Sequence, residues 1–177
     1  MNAPLSIDTF AALPRPELLE RYKSGSSRIE RRLLDLDDDQ LDTFFRPEAE
    51  VGRWSCRVLI GHLADAELVI ASRFRRTVGE EGPVLPNWDE DAFVDAGLYQ
   101  APGLTPAGSV AVIHTVRLWS AEWLTSLPDD AWARRALHPE RGETTLESQL
   151  AHATWHLEHH IAFLALKLEK LLGPAHP

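Results

Sequence analysis

The strongest constraint on the fold is the spacing of apolar residues near the C-terminal end of the chain. Between residues 146 and 168 they recur every three or four positions, which is the period of one face of an α-helix. This stripe consists of Leu146, Leu150, Ala153, Leu157, His160, Leu164 and Leu168. Thr144 and Glu147 are predicted to form a capping box at its start, and Gly173-Pro174 predicts its end. We therefore expect a long amphipathic helix that carries a histidine in its buried stripe.

Three further segments show the same helical period. The apolar positions from Pro16 to Leu36 predict one continuous helix, and those from Ser55 to Gly79 predict a second. Thr105-Pro106 is typical of a helix start and opens the third. The residues expected on the buried face of this third helix are Val112, Val116, Trp119 and Trp123. No alternating pattern of useful length predicts a β-strand.

A long connection separates the second and third of these helices. Residues 80–104 are rich in proline and glycine, with room for one short helix around Asp89 to Ala96. Four long helices with a connection of this length predict an all-α fold, a four-helix bundle with a crossover between helices 2 and 3. With 177 residues, the chain is expected to form a single domain, residues 1–177.

Charge and composition restrict the partners of the protein. The chain has 27 acidic against 18 basic residues and a formal net charge of −9, so its field repels nucleic acid and anionic lipid. No stretch approaches the roughly 20 apolar residues that a membrane span needs, and no secretory signal is recognisable. We therefore expect a cytoplasmic protein with no nucleic-acid or membrane partner. Cys56 is the only cysteine and is expected to serve packing.

Histidines are concentrated in the last predicted helix. His152, His156, His159 and His160 lie within nine residues, and histidines four positions apart on a helix can direct their rings at one ion. Spacing alone leaves two such pairs open, His152 with His156 and His156 with His160. His62 lies in the inward register of the second helix and is a candidate third ligand. Hydrogen-bonded core histidines are the alternative, although a shared cation would satisfy three buried imidazoles at once.

Other metal architectures do not fit the sequence. No Glu-x-x-His occurs on a predicted helix, His-Glu-x-x-His is absent, and one cysteine cannot build a thiolate site. What remains is a site of neutral imidazoles with an open coordination position. This ligand set favours zinc, while nickel, manganese and iron stay open. An ion in such a site brings the pKa of a bound water toward ~7 and deprotonates a bound thiol in the same way.

Three segments together resemble the DinB/YfiT-like family of metal-binding bundles. The first runs from Trp54 to Glu67 and continues to Arg73-Phe74, the second is Trp88 to Phe93, and the third extends from His138-Pro139 to the histidine-rich helix. The resemblance implies a four-helix bundle, often a homodimer, that binds one divalent metal ion. The metal ligands that it implies are His62, His156 and His160.

The resemblance narrows the activity to two kinds of enzyme. It implies either a metal-dependent hydrolase or an S-transferase that uses a low-molecular-weight thiol such as bacillithiol or mycothiol, with a small-molecule substrate in both cases. The alternative is a non-enzymatic bundle in which the metal is structural or sensory and which serves as a binding or stress-response module. Fold and ligand set alone do not decide between these.

Side chains near the predicted metal site are candidates for other roles. Arg73 lies about 20° around the helix from His62 and could bind an anionic group of the substrate, whereas a snorkelling arginine is the alternative. The catalytic acid or base is left unassigned. The carboxylates nominated for it are Asp65, Glu67, Asp89, Glu90 and Asp91. Ordinary surface charge is the alternative for all of them, and Asp65 could instead orient a histidine ligand.

Overall fold

The protein folds into helices that pack as a four-helix bundle, in a computed structural model that describes residues 6–101 and 103–175. The two ends of the predicted 1–177 domain therefore lie outside the described residues. The helices are α1 (Ile7–Ala11), α2 (Arg15–Ser24), α3 (Asp38–Leu41), α4 (Cys56–Gly79), α5 (Glu90–Asp95), α6 (Pro106–Thr125) and α7 (Leu146–Leu172). A hairpin is formed by β1 (Arg135–His138) and β2 (Gly142–Thr145), and 3₁₀ turns occupy Gly25–Arg28, Arg31–Asp35, Pro47–Ala49 and Asp129–Ala133.

The bundle consists of α2, α4, α6 and α7. Both α2 and α4 contact α6 and α7, so that α2 lies diagonally opposite α4. The long connection after α4 carries α5, as the sequence predicts. Within the described ranges, no helix is both long and apolar enough to cross a membrane.

Local signals place the ends of the site-bearing helices. The Ser55 hydroxyl accepts the Val58 backbone N–H at 3.3 Å and caps α4, as predicted. Asp89 caps α5 in the same manner, accepting the Ala92 N–H at 3.0 Å. The predicted stripe of α7 is confirmed, since its leucines are almost completely buried and His160 is half-buried. Helices α4 and α7 thus hold His62 and His160 at defined positions.

The first predicted helix is broken in the structure. Instead of continuing from Pro16 to Leu36, α2 ends at Ser24 and the chain proceeds through two 3₁₀ turns. Glycine is required at position 25, because a Cβ placed there would lie 2.5 Å from Nη1 of the buried Arg117. The low helix propensity of glycine favours the end of the α-helix at this point. Leu33 and Leu36 nevertheless remain buried, as their periodicity indicates.

The predicted buried face of α6 is also wrong. Trp119 is 48% exposed, while the fully buried positions include Ile113, Arg117 and Leu124. The helix is thus rotated by about one position from the face that its valines and tryptophans suggest. An arginine in the core, which the apolar pattern does not predict, accounts for the difference.

Arg117 lies at the centre of a buried polar layer that joins all four helices of the bundle. It is fully buried together with Glu67, and its Nε donates to Glu67 Oε1 at 2.7 Å. Its Nη1 and Nη2 atoms donate to the carbonyl oxygens of Tyr22 (2.8 Å) and Ala153 (2.6 Å). The layer thus connects α6 to α4, α2 and α7 at once, between the two apolar clusters of the core.

A short β-hairpin precedes α7, although no strand is predicted from the sequence. β1 and β2 pair antiparallel with His138 opposite Gly142, and Gly142 takes the left-handed φ of +72° that glycine tolerates. The capping box is shifted by one residue from the prediction, because Thr144 pairs in the hairpin and Thr145 with Ser148 forms the box. The hairpin also anchors the chain after α4, through hydrogen bonds of 2.9 Å from Leu85 N–H to Leu137 O and from Leu137 N–H to Pro83 O.

Lys167 of α7 ties down the loop that enters α4. It is 1% exposed, and its ammonium donates to the carbonyl oxygens of Val51 and, at 3.1 Å, of Gly52. Burial lowers the pKa of this lysine to about 8. In an unfolded chain the lysine pKa is about 10.4, so between these values the unfolded state binds more protons than the native state.

The stability of the protein is therefore expected to rise with pH through the contribution of Lys167. Measured against Lys167→Met by urea unfolding, the wild type should gain stability between pH 7.5 and 9.5. The gain over these two pH units is at most about 3 kcal/mol, since each unit contributes up to about 1.4 kcal/mol. A difference between the two proteins that stays constant or falls over this range would contradict the lowered pKa.

Candidate metal centre

Three histidines from two helices of the bundle converge on one point. His62 is contributed by α4, and His156 and His160 by successive turns of α7. One ring nitrogen of each lies within 4.8 Å of those of the other two. The Nε2 atoms of His62 and His156 are 3.4 Å apart, and two nitrogens bound tetrahedrally to one zinc ion at about 2.0–2.1 Å would lie roughly 3.3 Å apart. The arrangement is thus able to hold a metal ion.

The three imidazoles are neutral at physiological pH. Burial lowers the pKa of His62 to about 4 and, with the neighbouring imidazoles His62 and His159, that of His160 to about 3. Burial, reinforced by the surrounding histidines, also holds the pKa of His156 well below its usual range. Because a metal binds the unprotonated nitrogen, the lone pairs that a cation needs are available.

Two tryptophans enclose the histidine cluster. The Trp54 ring lies 4.6 Å from that of His62 and 6.2 Å from that of His160, between ring centroids. Trp88 stacks on His62 at 5.3 Å, with only 14° between the ring planes. Both aromatic rings limit the access of water to the histidines. Trp88 thereby contributes to the site wall as well as to packing.

The supporting hydrogen bonds expected around metal-bound histidines are not formed by a carboxylate here. The Nδ1 atoms of His62 and His156 are buried with no partner among the described residues. Asp65, considered from the sequence as a group that orients a histidine, instead accepts the Tyr99 hydroxyl at 2.8 Å. Aromatic packing rather than a carboxylate therefore orients these rings.

A cleft of about 200 Å³ opens beside the cluster on the side of His62 and His156. Its apolar wall is formed by Ala66, Ile70 and Trp88. The polar and charged residues that line it are Arg73, Asn87, Glu90, His138, Glu140, Arg141 and His152. A small molecule in this cleft would touch the face of the histidine cluster.

A second cleft, of about 230 Å³, reaches the cluster from the side of His160. It is mainly apolar, with Trp54, Leu59 and Phe163 in its wall. Glu90 lines both clefts. The histidine cluster can thus be approached from two sides of different character.

The five carboxylates considered as catalytic acid or base occupy different environments in the structure. Glu90 is the one of the five that lines the clefts. Glu67 belongs to the buried layer with Arg117, Asp89 caps α5, and Asp91 forms an ion pair with Arg53. Arg73 lines the cleft, and its role in substrate binding stays a prediction.

The remaining histidines occupy different environments. His152 lines the cleft and its Nδ1 is buried without a partner in the described part of the chain, but it lies outside the group of converging nitrogens. His159 stacks on Trp155 at 4.9 Å. His114 hydrogen-bonds Ser26 at 3.1 Å through Nδ1 on α6. Of the two pairs left open by spacing, the structure brings His156 and His160 to His62.

Arg141 and His138 line the cleft, but neither was predicted from the sequence to belong to the site. His138 Nδ1 accepts the backbone N–H groups of Glu140 (3.2 Å) and Arg141 (3.3 Å), which shapes the hairpin turn and directs it to the cleft. Burial, with the positive charges of Arg141 and Arg73, lowers the pKa of His138 to about 4, so that Nδ1 remains an acceptor. The His-Pro loop of the family resemblance was the signal that could have identified both residues.

A helical bundle with an open cleft beside three converging histidines defines the class: a four-helix bundle with a potential metal centre. The chain belongs to the DinB superfamily, whose family model matches residues 8–164. This confirms the resemblance seen in the sequence.

Two relatives illustrate the family. YfiT of Bacillus subtilis (strain 168) is 34% identical over 140 residues, which cover 78% of this chain and 74% of YfiT. A homologue from Bacillus licheniformis is 34% identical over 131 residues, covering 73% of this chain and 71% of the homologue. The names of both assign them provisionally to the metal-dependent hydrolases.

Solved structures establish the fold. That of YfiT from Bacillus subtilis, described as a probable metal-dependent hydrolase with an unusual four-helix bundle topology, matches with a TM-score of 0.78 and 24% identity over 90% of each chain. The mycothiol-dependent maleylpyruvate isomerase matches with a TM-score of 0.65 and 18% identity, over 88% of this chain and 62% of the isomerase. The predicted four-helix bundle is thus confirmed.

Proposed function

We propose that this protein is a metal-dependent enzyme that acts on a small molecule bound in the cleft. One divalent ion, zinc by preference and nickel as the alternative, is held by His62, His156 and His160. The observation that carries the proposal is the convergence of three neutral imidazoles, two of which, His62 and His156, line an open cleft. A closed structural zinc site would instead be expected to supply four protein ligands.

The chemistry of the bound ion would be that of a Lewis acid, which lowers the pKa of a water or thiol in its open position. The protein's own contribution is to orient the reactants and to exclude bulk water. Trp54 and Trp88 shield the histidines, and the cleft holds the substrate beside them. Glu90 is the residue that we assign to proton transfer, because it lines both clefts.

Hydrolysis and thiol transfer remain the two forms of this activity. The names of the relatives favour hydrolysis. The second cleft favours transfer, since a transferase must bind two organic reactants and this protein offers a polar and an apolar cleft at one centre. The name of the structurally similar isomerase, which depends on mycothiol, agrees with a low-molecular-weight thiol as one reactant.

The proposal is tested by assaying both reactions with one preparation before and after removal of the metal. Zinc-loaded protein should accelerate either the hydrolysis of p-nitrophenyl acetate or the displacement of chloride from 1-chloro-2,4-dinitrobenzene by a cysteine-based thiol. Chelation should reduce that rate by roughly 100-fold or more, and added zinc should restore it. Helical content measured in parallel shows whether the fold survives the removal of the metal.

Two results would contradict the proposed metal-dependent enzymatic activity. One is a rate that does not depend on the metal, and the other is a metal whose removal unfolds the chain, which would favour the non-enzymatic, metal-stabilised module. The homodimer implied by the family resemblance is a further part of the proposal. Sedimentation velocity of the zinc-loaded protein tests it directly.

A further inference from the structure

The cleft beside the histidines contains two arginines whose charges are not neutralised by an ion pair. Arg73 comes from α4 and Arg141 from the hairpin turn, and both line the same cleft. Neither forms an ion pair with any carboxylate in the described part of the chain. By contrast, most arginines of this acidic protein do so, including Arg21, Arg57 and Arg117.

Arg73 is held in position with unused hydrogen-bonding capacity. Its Nη2 donates to the Pro86 carbonyl at 3.1 Å, which fixes the guanidinium. Its Nε is buried and has no partner among residues 6–101 and 103–175. A buried donor without an acceptor is unfavourable unless a ligand supplies one.

Arg141 reaches the same cleft from a different element. The His138 imidazole accepts two backbone N–H groups of the turn and so fixes its shape. The Arg141 guanidinium makes no hydrogen bond to any residue that the structure describes. Arg73 and Arg141 line the same cleft, and burial and the charge of Arg73 lower the pKa of Arg141, an effect that the Glu140 carboxylate partly offsets. Two cations in a partly desolvated cleft favour an anion beside them.

We propose that Arg73 and Arg141 together form an oxyanion-binding site for the substrate, next to the histidine cluster. The ligand chemistry is a carboxylate or phosphate group, since guanidinium groups bind both through paired N–H···O bonds. Glu90 and Glu140 also line the cleft, and the charge of Glu140 acts on both arginines, but neither carboxylate forms an ion pair with them among the described residues. The inference rests on the proposed function in one respect, namely that the substrate occupies this cleft.

The site predicts that small anions bind where neutral analogues do not. Isothermal titration of the zinc-loaded protein with benzoate, phenyl phosphate and benzamide compares a carboxylate, a phosphate and an uncharged isostere on the same ring. At least one of the two anions should bind about 10-fold or more tightly than benzamide. The preferred anion identifies whether the substrate carries a carboxylate or a phosphate.

Variants assign the binding to the two arginines. Arg73→Gln and Arg141→Gln should each weaken the binding of the preferred anion about 10-fold or more. Arg76→Gln is the matched control on α4, because Arg76 is paired with Glu80 and does not line the cleft. It should change the affinity by less than about 2-fold.

The zinc content of the variants distinguishes a failure of the oxyanion site from a failure of the proposed metal site. Arg73→Gln and Arg141→Gln should keep the wild-type zinc content and lose affinity for the anion. Wild-type anion affinity in both variants, or binding of benzoate and phenyl phosphate that is no tighter than that of benzamide, would overturn the oxyanion site and leave the metal-dependent activity to its own test. A protein that binds no zinc but retains the arginine-dependent anion would instead overturn the metal assignment alone.

Discussion

Replacing Arg117 by methionine is expected to destabilise the protein by about 3–5 kcal/mol, because it leaves the Glu67 carboxylate buried without a cation. The substitution also removes the donors to the Tyr22 and Ala153 carbonyl oxygens. A domain of this size has a total stability of about 5–15 kcal/mol. Urea unfolding followed by circular dichroism should show a much lower midpoint or a chain that is already unfolded.

A double variant tests the cause of this loss. In Arg117→Met with Glu67→Leu the uncompensated charge is gone, so the double variant should be more stable than Arg117→Met alone. Arg76→Met is the control, because it removes an arginine of α4 from an exposed ion pair with Glu80 and should change the unfolding midpoint little. If Arg117→Met and Arg76→Met unfolded alike, the buried layer would not hold the four helices together.

The second large effect is expected at the histidines. His156→Ala should lower the zinc affinity at least about 100-fold, more than the roughly 10–100-fold that follows from altering the partners of a metal ligand. The variant should therefore lose zinc on purification, as shown by elemental analysis and by competition with a chromophoric chelator. The substitution takes away a half-buried imidazole that is one of the three proposed protein ligands.

Neighbouring histidines provide matched controls. His159 lies on α7 as well but stacks on Trp155, so the His159→Ala variant should retain zinc. His152→Ala distinguishes the two pairs that spacing left open, and it should also retain zinc, because His152 lies outside the converging group. Loss of zinc in His152→Ala with retention in His160→Ala would show that the other pair binds the metal.

Much of the bundle could be predicted from local patterns. The stripe of α7, the cap of α4 at Ser55 and the short helix after Asp89 all follow from residues within one or two turns of each other. Such signals act over a few residues, so they are readable without knowledge of the fold. The same applies to His62, which the inward register of α4 placed correctly in the interior.

The predictions from the sequence were wrong where residues far apart in the chain determine the local structure. Glycine is required after the end of α2 by the close approach of Gly25 to Arg117, and the rotation of α6 depends on burying Arg117 against Glu67, fifty positions away in the chain. The hairpin forms from strands of four residues each, too short to give a clear alternating pattern. Each of these features is stabilised by a partner that the local sequence does not identify.

The candidate metal ligands and the helices that carry them could be read from the chain itself, because side-chain direction along a helix follows its period. Spacing left open whether His152 or His160 joins His156, and the family resemblance implied His160. The physical reason appears only in the fold, where the packing of α7 on α4 brings His160 to His62. The tertiary structure alone also placed Arg141 in the same cleft as Arg73, because one lies in a hairpin turn and the other on a helix of the bundle. Contacts between elements depend on how the core packs, and the core is built by residues far apart in the chain.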